Sequence, residues 1–116
     1  MIGPTYFGGV SILSSSDFIR INGFSNEYWG WGAEDDDLYR RLGLHQMTVT
    51  QPDPLELARY TMLSHKKAKP NPDRFKKLNE AKSRANADGL ISLKYCRTQL
   101  ELKHLYTHIL VDIRPP

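Results

Sequence analysis

Residues 29 to 37 bring two indoles, two glycines and four carboxylates into the run Trp29-Gly30-Trp31-Gly32-Ala33-Glu34-Asp35-Asp36-Asp37. Glycines between tryptophans make a poor core element, because they lose backbone entropy on folding and give nothing to pack. Rigid, flat indoles suit sugars, whose apolar C–H faces stack on them. Carboxylates beside them can accept hydrogen bonds from sugar hydroxyls, and one can act as a general base. The same run also reads as the acidic first turn of a helix, favoured by the helix dipole, beside a packed tryptophan pair. On residue types alone the two readings stand level.

Two further clusters follow. Met62-Leu63-Ser64-His65 places a thioether and an imidazole three residues apart. As a bare metal motif it is weak, since a thioether is soft while Mn and Mg favour oxygen, and a structural or solvent-facing histidine is the plainer reading. Pro70-Asn71-Pro72-Asp73-Arg74-Phe75, followed by Leu78, looks like a helix start with Phe75 and Leu78 three apart on one face. Taken alone, that pattern reads as core packing.

The elements that must hold these residues can be read from periodicity and breakers. Tyr6 to Leu13 has the pattern of a buried strand interrupted by Gly8-Gly9, and glycine in a strand marks a bulge or the close approach of a ligand or another backbone. Ser14 to Ser16 offer an N-cap for a short helix through Arg20, stopped at Asn22-Gly23. A second helix is predicted from about Glu34 to Leu44, with Leu38 and Leu42 four apart on its inner face. Thr48 to Thr50 and Leu57 to Leu63 look like short strands separated by Pro52 and Pro54, and Lys66 to Pro72 reads as a mobile polar loop. Asp73 to Ser83 has helical character, with Phe75, Leu78 and Lys82 along one side. Leu90 to Ile113 alternates as two strands.

With 116 residues, 40% hydrophobic and 25% charged, the chain is ordinary for one small globular domain. No apolar run approaches the ~20 residues that span a bilayer. No signal-peptide pattern precedes the first strand-like segment, as expected of a piece of something longer. Cys96 is the sole cysteine, which excludes an internal disulfide, and a buried, inert thiol is the expected state. Glu34 to Asp37 and the eight Lys or Arg between residues 66 and 84 are opposite in sign and far apart in sequence. Such runs can serve a cation and an anion, although two solvated faces are the commoner meaning. The formal charge of +3 raises nucleic-acid binding, but clustered carboxylates repel phosphates and no RNA-binding motif is present.

Read together, the clusters resemble the β-1,4-galactosyltransferase family. The likeness rests on Tyr6-Phe7-Gly8-Gly9-Val10-Ser11, Ile21-Asn22-Gly23-Phe24, and Tyr28-Trp29-Gly30-Trp31-Gly32-x-Glu34-Asp35-Asp36-Asp37. It continues through Met62-x-x-His65, Asn71-Pro72-x-Arg74-Phe75, Asp88-Gly89-Leu90 and Leu105-Tyr106-Thr107 to Val111-Asp112-Ile113, and so covers nearly the whole chain. Ala33 departs from the family's common glycine, a small change expected to cost little.

The resemblance implies an α/β fold: the C-terminal part of a GT-A type glycosyltransferase, a mixed sheet with short helices and a long flexible loop. On this reading residues 1 to 116 are the C-terminal portion of a galactosyltransferase catalytic domain whose nucleotide-binding part lies upstream. The implied reaction is inverting transfer of galactose from UDP-galactose to the 4-hydroxyl of a terminal N-acetylglucosamine or related sugar on glycoproteins or glycolipids. Asp35 would be the general base. Glu34 and Asp36 would hold donor and acceptor hydroxyls or the acceptor amide, and Trp31, on a mobile loop, would point its N–H at the donor diphosphate. Gly8 and Gly9 would lie at the sugar site, with Tyr6 crowding the donor's 2-position so that galactose is preferred over N-acetylgalactosamine. Arg74, Phe75 and Leu78 would line the N-acetyl pocket.

Met62 and His65 would be two of three protein ligands to Mn2+, the third coming from an upstream Asp-x-Asp. The basic stretch from Lys66 to Arg84 would close over bound donor. The family further implies Golgi residence as a type II membrane protein, with an anchor outside this chain, and negligible activity for these residues alone. Rival expectations are a member directed to N-acetylgalactosamine or xylose, and a non-catalytic carbohydrate-binding remnant.

Overall fold

The computed structural model describes residues 7 to 53 and 55 to 113. Four short helices precede one hairpin: α1 (Ser15–Arg20), α2 (Glu34–Leu44), α3 (Arg74–Asn79), α4 (Ala81–Arg84), then β1 (Cys96–Leu102) and β2 (Thr107–Asp112). Single 3-10 turns lie at Leu55–Ala58 and Leu90–Ser92. No helix among the described residues is long and apolar enough to cross a membrane.

Capping sets α1. The Ser14 hydroxyl oxygen accepts the Asp17 N–H at 3.0 Å, satisfying one of the donors that a helix start leaves open. At the other end Asn22 and Gly23 both adopt left-handed φ, and the Gly23 N–H returns to the Phe18 carbonyl at 2.8 Å. Helix α2 matches the expected span, and Leu38 and Leu42 are buried with Ile21 in a small apolar core. Phe7, Leu13, Met47 and Val49 pack around its rim.

A second, polar core lies on the other side of α2. Asp37, Arg41 and Asp88 are all buried there, and α2 contacts both α3 and α4. The segment from 85 to 91 is held by Asn22. Its Nδ2 donates to the Ala85 and Asp88 carbonyls at 3.0 and 3.2 Å, and its Oδ1 accepts the Ile91 N–H at 3.0 Å. Gly89 makes that approach possible, since a Cβ there would stand 1.9 Å from the Asn22 carbonyl oxygen.

The sequence expectations fail where a strand needs a partner. Residues 9 to 14 form no regular element, and Ile12 is 93% exposed rather than buried. Residues 48 to 50 and 57 to 63 are not strands either, although Val49 does reach the core. β-pattern signals report fit to a neighbouring strand, and no described segment pairs with these. The helix expected from 73 to 83 is broken into α3 and α4 at Glu80, and Ala81, not Lys82, turns inward.

The expected pair of strands does form, antiparallel, with Leu100 opposite Ile109 and an irregularity between Arg97 and Gln99. The described sheet is therefore two-stranded and antiparallel rather than mixed. Its apolar residues Leu100, Ile109, Leu110 and Val111 are exposed. Cys96 is exposed too, correcting the expected buried thiol, because it opens a hairpin that no further described layer covers.

Candidate active site

The acidic run divides by helical geometry. Glu34, Asp35, Asp36 and Asp37 form the first turn of α2. Asp37 is turned fully inward, Glu34 and Asp36 are exposed, and Asp35 is half-buried with its Oδ1 accepting the Asp36 N–H at 2.9 Å. Three carboxylates are thus presented outward and one is turned inward, and all four lie in the first turn of the helix, as the helix-start reading expects.

Asp37 is satisfied from three directions. Its Oδ1 accepts Arg41 Nε at 2.7 Å, and its Oδ2 accepts the Tyr28 hydroxyl at 2.9 Å and Arg84 Nη2 at 3.2 Å. Arg41 Nη1 donates onward to the Asp88 carbonyl at 2.6 Å. The Asp88 carboxylate in turn accepts the Asn26 N–H at 2.8 Å and the Ser25 hydroxyl. No buried side-chain polar atom among the described residues lacks a partner, as a network in a low-dielectric interior requires. Burial pushes the Tyr28 phenol up to about 12, reinforced by the adjacent Asp37 charge and partly offset by Arg84.

The tryptophan loop is fastened to the segment before α3. Trp31 pairs with Pro70 in a short parallel bridge, and the Trp31 carbonyl accepts the Asn71 N–H at 3.1 Å. Asn71 Nδ2 donates to the Trp29 carbonyl at 2.7 Å, and Lys77 Nζ donates to the Glu27 carbonyl. The Trp29 indole is spent within the loop on the Asn26 carbonyl at 3.1 Å, whereas Trp31 is 55% exposed. The Arg74 guanidinium lies 4.3 Å from the Phe75 ring centroid and 5.9 Å from that of Trp31. Gly32 has φ +111, and a Cβ there would meet Arg74 Cδ at 2.8 Å. Its lack of a side chain lets that stack sit against the loop.

Trp31, Arg74 and Phe75 thus stand together beside the loop, while Glu34, Asp35 and Asp36 follow Trp31 on the first turn of α2, and α2 contacts α3. Leu78 is buried one turn further along α3, where its carbonyl accepts Arg40 Nη1. Gly8 and Gly9 follow Phe7, whose ring packs 5.4 Å from that of Tyr39 on α2. Tyr6 lies outside the described residues.

Met62 and His65 sit in the irregular, exposed stretch from 59 to 70, with His65 Nδ1 3.0 Å from the Lys66 carbonyl oxygen. Among the described residues no group of three or more His, Cys, Asp or Glu is placed to hold a metal ion. A thioether and one imidazole nitrogen fit a metal only if oxygen ligands are added.

Two larger cavities lie elsewhere. One, of about 960 Å³, is lined by residues 25 to 29 and the base of the hairpin; the other, of about 1000 Å³, lies between residues 7 to 14 and 46 to 52. Neither takes in Trp31 or the outward carboxylates. Trp31 and the outward carboxylates lie on an open surface. Sequence reasoning missed Tyr28, Arg41, Arg84 and Asp88 as the supports of the site. Asp37–Arg41 and Arg84–Asp88 each left a local signal, an i,i+4 opposite-charge pair.

Trp31 is exposed just before the turn of α2 that carries three outward carboxylates, and the relatives of the sequence are sugar transferases. A family model described as the N-terminal domain of galactosyltransferase matches residues 2–66. Human β-1,4-galactosyltransferase 2 is 48% identical over 115 residues, covering 96% of this chain and 31% of that protein. Bovine β-1,4-galactosyltransferase 1 is 46% identical over 114 residues, covering 96% of this chain and 28% of the relative. Cricetulus griseus β-1,4-galactosyltransferase 4 is 46% identical over 110 residues, covering 92% of this chain and 32% of the relative. The chain belongs to the β-1,4-galactosyltransferase family. It spans about a third of the length of the curated relatives it matches.

Proposed function

We propose that this chain supplies the general base and the acceptor side of an inverting galactosyltransferase, as the C-terminal part of a GT-A type catalytic domain. The donor is UDP-galactose and the acceptor a glycan ending in N-acetylglucosamine. One observation carries the reading: Asp35 stands half-exposed on a helix turn, between Glu34 and Asp36 and beside the exposed Trp31.

Asp35 keeps Oδ1 on the Asp36 N–H, which orients the carboxylate and reserves Oδ2 for the acceptor proton. In the reaction the acceptor 4-hydroxyl gives its proton to Asp35, and its oxygen forms the bond to the anomeric carbon. The bond from that carbon to the UDP oxygen breaks on the opposite face, so configuration inverts. Glu34 and Asp36 accept hydrogen bonds from sugar hydroxyls. Trp31 offers its indole N–H to the diphosphate, and Tyr6, Gly8 and Gly9 border the donor sugar. Arg74, Phe75 and Leu78 shape the wall for the N-acetyl methyl, with Leu78 contributing from the buried end of α3.

Met62 and His65 would hold Mn2+ together with oxygen ligands from the longer protein. When bound, the ion offsets charge on the departing diphosphate. Residence in the Golgi lumen as a type II membrane protein is part of the same proposal.

The test is transfer by the longer protein that contains this chain, incubated with Mn2+, UDP-galactose and N-acetylglucosamine. Proton NMR of the product should show a β-1,4 linkage, and Asp35→Asn should slow its formation by about 10²–10⁴. Normal turnover by Asp35→Asn would remove Asp35 from the reaction. Sugar binding with no transfer by the wild type would turn the site into a lectin-like one.

A further inference from the structure

Arg84, the last residue of α4, is where three elements and the tryptophan loop meet. Its Nη2 donates to Asp37 Oδ2 at 3.2 Å, its Nη1 to the Lys77 carbonyl at 2.7 Å, and its Nε faces Asp88 Oδ2 at 3.4 Å. The Tyr28 ring, whose hydroxyl shares Asp37 Oδ2, lies 5.8 Å from the guanidinium carbon. Each nitrogen of the fork is thus committed to a different segment: α2, α3 and the turn before Leu90.

The first turn of a helix is its least secured part, because its N–H groups lack intrahelical acceptors. In α2 that turn carries the outward carboxylates, and Ala33 before it supplies no side-chain cap. Asp37 belongs to the same turn and is wholly buried. It is held by Arg41 from within α2, and by Arg84 and Tyr28 from outside it. The two outside contacts are the ones that can fix the turn relative to α3 and the loop.

We propose that Arg84 is a positioning residue, which through Asp37 and Tyr28 locks the first turn of α2 against α3. It thereby sets where Glu34, Asp35 and Asp36 stand relative to Arg74 and Phe75. The consequence for turnover rests on the transferase reading above; the anchoring does not. A lysine preserves the charge but not the planar fork, so it can reach one of these partners well and not all three.

The experiment uses the longer protein with Arg84→Lys and, separately, Tyr28→Phe, which keeps the ring and loses one hydrogen bond. Amide hydrogen exchange is followed by mass spectrometry beside steady-state kinetics, well below the unfolding temperature. Arg84→Lys should speed exchange of amides 37 to 40, which bond the carbonyls of residues 33 to 36, by about tenfold, as local opening becomes easier, and leave the hairpin from 96 to 112 unchanged. Its kcat should fall by about tenfold or more, as misplacement of reacting groups does, with both KM values little altered. Tyr28→Phe should move both readouts in the same direction by less.

Unchanged exchange at 37 to 40, a rise spread evenly over the chain, or wild-type kcat in a folded Arg84→Lys protein would each overturn the proposal. If the wild type transfers no galactose, the transferase reading falls, and the exchange arm alone decides whether Arg84 anchors the turn.

Discussion

Asp37 Oδ1 accepts Nε of Arg41 at 2.7 Å, and the two side chains are 0% and 1% exposed. An ion pair so fully withdrawn from water survives only because its remaining atoms are satisfied, by Tyr28 and Arg84 on one side and the Asp88 carbonyl on the other. The pair lies on the buried side of α2, and Asp37 shares its turn with the outward carboxylates.

Asp37→Ala should therefore be among the most damaging single changes in the chain. It leaves Arg41 charged and buried with only the Asp88 carboxylate, 3.4 Å away, as counter-charge, and removal of one partner of a buried pair costs about 3–5 kcal/mol. Thermal unfolding followed by circular dichroism checks this. A loss below about 1 kcal/mol, typical of an exposed pair, would mean that water reaches Arg41.

Asp35→Asn should behave in the opposite way. The half-exposed side chain makes one local hydrogen bond, so the fold should lose little, whereas loss of a general base lowers turnover by about 10²–10⁴. The two effects separate when unfolding and galactose transfer are measured on the same preparation.

Ala33 lies at φ 75, ψ −3, a left-handed conformation that an L side chain adopts at a cost of about 1–2 kcal/mol. The small penalty expected from its type alone is thus enlarged by its backbone. Ala33→Gly should raise stability by about 0.5–1 kcal/mol, after subtraction of glycine's extra freedom in the unfolded chain. Chemical denaturation with an unchanged slope would show it.

Tyr28 should titrate late for a tyrosine. Its phenol ionises at about 12, against an ordinary value of 10.0, so the folded state holds this proton more tightly than the unfolded state. The corresponding stability is fully present below pH 10 and is lost as pH rises from 10 through 12. Phenolate absorbance near 295 nm, followed up that range, should contain one late component that Tyr28→Phe removes.

Asn71→Ala should loosen the tryptophan loop without unfolding the helices. It removes the side-chain bonds to the Trp29 carbonyl and the Asp73 N–H but leaves the backbone bond to Trp31. A change in tryptophan emission with unaltered far-ultraviolet circular dichroism is the expected outcome.

Local signals fixed what depends on neighbours in sequence. Ser14 as a cap, Asn22-Gly23 as a stop and the Leu38–Leu42 spacing defined α1 and α2, because capping and helical periodicity act within a turn or two. Strand alternation marked the closing hairpin, whose two halves are joined by a short turn. The tryptophan–carboxylate run, read with the motifs that flank it, pointed to the family.

Tertiary contact decided the rest. That Asp37 leaves the acidic run for the interior depends on Arg84, 47 positions further on, and no pattern around either residue encodes that meeting. The strand-like stretches at 6 to 13 and 57 to 63 depend on pairing partners, which propensity cannot supply. Cys96 was expected inside by residue type, yet exposure depends on what covers a strand and not on the strand. Short-range preferences amount to about 1 kcal/mol each, while a buried charge or an unpaired edge costs several; at Asp37 and Arg84 the larger, long-range terms settle the structure.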